Sequence, residues 1–171
     1  MATHNSPLTL VVRGVLAAAM GTAAMDATMY AEYRLAGGTE AFLAWETSSG
    51  LDSWDKAPAP AQVGRRLYRR IARRELPPSA ARLTSNVMHW SYGSLQGAFL
   101  GLTTWSVARR RVLIGPCFGA AVWTSSYAVL GAMGLYKPVW QYPPGVLGKD
   151  LANHLIYGTV AGCTLSALTR G

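Results

Sequence analysis

Apolar residues along this chain are gathered into long blocks instead of recurring at the spacing of a soluble core. Residues 83–108, 112–136 and 151–169 contain no Asp, Glu, Lys or Arg. Each block approaches the roughly 20 residues needed to cross the hydrocarbon of a bilayer. An earlier block, residues 8–35, has the same character but carries Arg13, Asp26 and Glu32. The pattern predicts four transmembrane helices. For the first block the alternative is a cleaved leader, with Arg13 as its basic flank, residues 15–24 as its apolar stretch and the small residues near Ala24 as the cleavage site. Against that alternative, the apolar pattern runs on through Met29 and Tyr33.

The connection over residues 37–82 is polar, which explains why mean hydropathy is only +0.16. Its first part, residues 39–54, alternates aromatic and polar side chains, and Ala57-Pro58-Ala59-Pro60 then interrupts regular structure. Over residues 61–75, Val63, Leu67 and Ile71 recur every fourth residue with Tyr68 beside them, while Arg65, Arg66, Arg69, Arg70, Arg73 and Arg74 cover the remainder. This predicts a short basic amphipathic helix, ended by Leu76-Pro77-Pro78 and lying on a membrane surface. Anionic lipid headgroups would add about 1 kcal/mol for each nearby Arg. The alternatives are a solvated helix that only fixes topology, or a site for RNA or an acidic partner protein.

A motif repeats. His89-Trp-Ser-Tyr92-Gly93-Ser-Leu-Gln-Gly97 and His154-Leu-Ile-Tyr157-Gly158-Thr-Val-Ala-Gly162 share the form His-x-x-Tyr-Gly-x-x-x-Gly, and they use two of the chain's 3 His. Gly21-x-Ala-x-Met in the first block loosely echoes Gly119-x-Ala-x-Trp in the third. The expected fold is therefore all-α and polytopic: a single membrane domain of four transmembrane helices built as a duplicated two-helix unit, with the basic interfacial helix between.

Glycine spacing says how these helices should meet. Gly93, Gly97 and Gly101 make one stripe, Gly115, Gly119 and then Gly131 a second, and Gly158 with Gly162 a third. Glycines four residues apart let backbones approach closely, replacing the hydrophobic drive that lipid removes. Both repeated His lie on these stripes and should point into the bundle. Asn86 shares the face of His89, and Asp150 precedes His154 by four residues. Asp26 sits at the corresponding end of the first block, so Asp26, Asn86, His89, Asp150 and His154 are expected to converge in one half of the membrane. Ionisable groups there are costly and invite a functional reading. One reading is a hydrogen-bonded network that fixes helix register. The others are a proton-responsive site, since His titrates near neutrality, a path for a small molecule or ion, and a metal site, which no local ligand spacing supports.

Charge changes the picture only in orientation. Most of the 16 Lys and Arg fall in the first and third connections, which the positive-inside rule assigns to the cytoplasm. Arg109, Arg110 and Arg111 in the short second connection argue the other way. The net charge of +8 is concentrated in the basic helix and comes with no recognised nucleic-acid module, so nucleic acid is not an expected partner. The expected partners are the lipid bilayer, anionic headgroups and a second copy of the chain. Cys117 and Cys163 lack Cys-x-x-Cys spacing, and neither a structural disulfide nor zinc is suggested. No Gly-x-Ser-x-Gly, His-Glu-x-x-His or phosphate-cradling loop appears, and no catalytic residue or cofactor is expected. An acid–base pair of Asp26 with His89 is the one enzymatic arrangement left open.

Gly21-Thr-Ala-Ala-Met-Asp26, Ala57-Pro-Ala-Pro-Ala-Gln62-Val-Gly64, Asn86-x-x-His89-Trp-x-Tyr92-Gly93, Gly134-Leu-Tyr-Lys137-Pro138 and His154-x-x-Tyr157-Gly158 together resemble the YagU-like group of small bacterial membrane proteins. The resemblance covers most of the chain in layout and is specific around the two His-x-x-Tyr-Gly motifs; the arginine-rich helix departs from it. It implies a multipass protein of the bacterial inner membrane without assigned chemistry, for which a role in acid resistance has been proposed. Two classes of function follow. The leading expectation is a non-enzymatic membrane factor whose polar network is structural, and the alternative is a proton-responsive or transport-like protein using His89 and His154. A dry, fully paired His cluster favours the first, and a vestibule reaching both His favours the second.

Overall fold

The computed structural model describes residues 6–103 and 111–169, and all its regular structure is helical. The described residues form six α-helices: α1 (Pro7–Leu35), α2 (Phe42–Glu46), α3 (Ala59–Ala72), α4 (Ala81–Thr103), α5 (Arg111–Ala132) and α6 (Pro144–Leu168). The four long helices form an antiparallel bundle in which α4 packs on α1, α1 on α6 and α6 on α5. At one end α2 and α3 make a cap, with α3 seated on α4.

Local chemistry sets the helix ends. Ser6 caps α1 by accepting a hydrogen bond from the Thr9 N–H, with Pro7 in the first turn. The fourth expected block begins earlier than residue 151, because Pro144 starts α6 with the backbone angle a first turn needs. The third ends before residue 136. Gly134 takes a left-handed φ of +66°, which stops α5 and turns the chain. The basic helix is displaced in the same sense. Pro60 lies in its first turn instead of interrupting structure, and Arg73 leaves it with φ of +53°, so Arg73 and Arg74 fall beyond its end. The expected second helix is described as far as Thr103; residues 104–110, with Arg109 and Arg110, lie outside the described residues.

The bundle is packed on small residues. Gly14, Ala17, Ala18, Gly21 and Thr22 of α1, Gly97 and Gly101 of α4, and Gly158, Ala161 and Gly162 of α6 are buried. A Cβ on Gly97 would run into the Gly14 carbonyl and the Ala18 methyl, and one on Gly158 into the Gly115 carbonyl and the Gly119 backbone. Gly101 sits on Leu10, Gly93 on Thr22 and Gly119 on the His154 carbonyl. Gly131, which shares the spacing, has nothing within 4 Å. Leu10, Leu100, Leu165 and Tyr157 are buried among these small residues, while many other large apolar side chains lie outside: Leu8, Leu16, Met20, Leu95, Phe99 and Val129 are all exposed.

α1 is long and apolar enough to cross a membrane, the one such helix among the described residues. It is also the centre of the bundle, touching both α4 and α6. Removing it as a leader would strip both neighbours of the face they pack against it.

Candidate functional site

α4 and α5 do not pack along their lengths. They flank a cavity of about 500 Å³ at the capped end, floored by α1 and α6 and roofed by residues of α2 and α3. Tyr92 of α4 reaches Ser126 of α5 at 3.1 Å, where both residues line the cavity. Tyr157 Oη of α6 donates to the Gly93 carbonyl at 2.7 Å. The two motif tyrosines thus tie the two halves of the repeat to each other.

The five expected polar residues, Asp26, Asn86, His89, Asp150 and His154, all line this cavity. They form two pairs and a bracket. His89 Nε2 lies 3.0 and 3.1 Å from the two carboxylate oxygens of Asp26, which is only 3% exposed. The pair joins α4 to α1. In the second repeat the carboxylate comes from the same helix: His154 Nδ1 is 2.8 Å from the Asp150 carbonyl and 3.5 Å from its Oδ1. Asp150 Oδ2 also accepts from Trp123 Nε1 at 3.1 Å. Asn86 is the bracket. Its Nδ2 donates to the Thr47 and Arg82 carbonyls, and Arg82 donates to both oxygens of Thr47, so the end of α2 is clamped to α4.

That clamp delivers a third carboxylate. Glu46 lines the cavity, accepts from Trp90 Nε1 at 3.1 Å, and feels both Asp26 and His89. Burial first, then the Asp26 charge, raises its carboxyl above the ordinary range. Sequence spacing misses Glu46 because α2 has only five residues and no periodicity to place it. The signal available was scarcity: 8 acidic residues stand in the whole chain. Among the described residues no three His, Cys, Asp or Glu side chains converge to hold a metal.

The basic face of α3 is partly engaged by the protein itself. Arg65 and Arg69 pair with Glu75 at 3.3 and 3.2 Å, Arg65 also lies over Trp54, and Arg66 donates to the Met133 carbonyl, tying α3 to the end of α5. Arg70, Arg73 and Arg74 are exposed. Of the apolar stripe, Val63 faces the cavity, while Leu67 and Ile71 stand exposed among the arginines. No protein family, curated protein or solved structure matches this chain.

Proposed function

We propose that the chain is a multipass membrane protein in which α1, α4, α5 and α6 span a bacterial plasma membrane, and that its cavity serves a proton-responsive, transport-like role. Support for the spans comes from helix contacts made at glycine and alanine, with many large apolar side chains exposed on the outside, as helix association in lipid favours. α3 then lies at headgroup level, Leu67 and Ile71 entering the interface and the free arginines meeting anionic lipid. Trp140, exposed at the same end, sits where interfacial aromatics collect. The positive-inside rule makes this capped end cytoplasmic.

The observation that carries the role is that both repeated His, each beside a carboxylate, line one cavity. A His lining a solvated cavity can exchange its proton, and its carboxylate partner couples that proton to helix contacts. A purely structural network is the second reading, favoured by the double contact of His89 on Asp26. Passage through so few helices would be completed by a homo-oligomer.

Nitrogen-15 NMR of both His in lipid nanodiscs separates the readings. The proposal expects at least one to titrate between about pH 5 and 8 and to move in Asp26→Asn or Asp150→Asn. If both hold one protonation state throughout that range, the network is structural.

A further inference from the structure

The cavity's charge is opposite to that of the chain. Lys and Arg number 16 against 8 Asp and Glu. Yet the described side chains around the cavity include three carboxylates, Asp26, Glu46 and Asp150, and neither Lys nor Arg. Among the described lining residues the groups that can become cations are His89 and His154, each already set against a carboxylate. With the carboxyls ionised, three negative charges face at most two positive ones. An anion entering there meets no cation that is not already set against a carboxylate.

Apart from the neutral polar Ser48, Ser85, Asn86 and Ser126, the rest of the wall is apolar and aromatic, including Met25, Met88 and Leu130 with Trp45, Tyr92 and Tyr136. A bare inorganic cation gains little from such a wall, and among the described residues no three ligating carboxylate, imidazole or thiol groups converge to replace its water. An organic cation suits both features. Its charge finds carboxylates and aromatic faces, which attract ammonium groups through the ring quadrupole, and its body finds methionine, which adapts to varied shapes. A volume of about 500 Å³ accommodates a molecule of that size.

We propose that the cavity binds a monovalent organic cation with an apolar body, an alkyl- or arylammonium, its charged head beside Glu46. This rests on the reading of the cavity as a solvated, proton-linked site. Glu46 is the carboxylate best placed for the head. Asp26 is held at both oxygens by His89, and Asp150 is held by Trp123 and His154, whereas Glu46 is engaged through Oε1 by Trp90. The groups facing Glu46 are Asp26 from α1 and His89 and Trp90 from α4. Burial and then the Asp26 charge make Glu46 hold its proton more tightly than an ordinary carboxyl, and an incoming cation relieves the same repulsion. Proton and cation therefore compete for this carboxyl, and binding tightens as pH rises.

Calorimetry in nanodiscs tests this with benzyltrimethylammonium as probe, benzenesulfonate as the anion of similar shape, and empty nanodiscs as blank. The wild-type chain is expected to bind the cation saturably and not the sulfonate. Glu46→Gln, which keeps an acceptor for Trp90, is expected to weaken cation binding at least tenfold. Glu40→Gln, exposed and outside this cavity, is expected to leave it unchanged. Equal binding of both ions, or undiminished binding by Glu46→Gln, overturns the proposal. The His titration on the same samples keeps the two claims apart. If the His titrate and no cation binds, the cation proposal alone falls. If the cation binds as expected while the His stay fixed, the cation site stands and the proton-linked role falls.

Discussion

Asp26 and Asp150 give the two repeated His their carboxylates by different routes. Asp26 arrives from the neighbouring helix, while Asp150 stands one turn before His154 on the same helix, where the first repeat has the buried Ser85. Asp26 was legible in the sequence because an acid in an apolar block is conspicuous, and Asp150 because it stands four residues before His154; His-x-x-Tyr-Gly marked the face they had to meet. Glu46 was not legible, since its position depends on Asn86 and Arg82 clamping Thr47. It yields a signed prediction. Its carboxyl is raised above the ordinary 4.5 by burial and by Asp26. The folded chain thus holds this proton more tightly than the unfolded one. That contribution to stability is complete below the ordinary value and is lost as pH rises through the raised one. Glu46→Gln cannot ionise, so it is expected to melt close to wild type in acid and above wild type at neutral pH. Thermal unfolding in detergent across this range checks it, and a gap that does not grow with pH counts against the account.

Among the helices, contact depends on where a Cβ has room. Gly97 lies against the backbone of α1, so Gly97→Val has to push α4 and α1 apart, at a cost of about 1–3 kcal/mol. Gly131 carries the same spacing but meets nothing within 4 Å, so Gly131→Ala is expected to be neutral or to gain up to about 1 kcal/mol of helix propensity. Unfolding measured in one detergent compares the two, and equal losses would contradict the packing described here. Spacing revealed the stripe but not where it ends, because Gly131 falls one turn from the Gly134 turn where α5 finishes. Helix ends were misread for a related reason: proline both starts and stops helices, and residues 57–60 and 143–144 needed the backbone to decide.

For the molecule as a whole, the all-helical fold was readable, whereas the cavity was not, because it arises from the separation of α4 and α5 and from a cap whose aromatic residues have no helical period. Tyr30, Tyr33, Phe42 and Trp45 pack together to seat α2 on the end of α1, and a small core around Trp54, Ala61 and Ala81 holds α3. The central claim is that solvent reaches this cavity from the capped, cytoplasmic side of a membrane. Ser126, against Tyr92, probes it most directly. In a background with Cys117 and Cys163 replaced by Ala, Ser126→Cys is exposed to a membrane-impermeant cationic methanethiosulfonate in sealed vesicles of each orientation. The account predicts modification from the cytoplasmic face alone; labelling from the opposite face, or from neither, would contradict it.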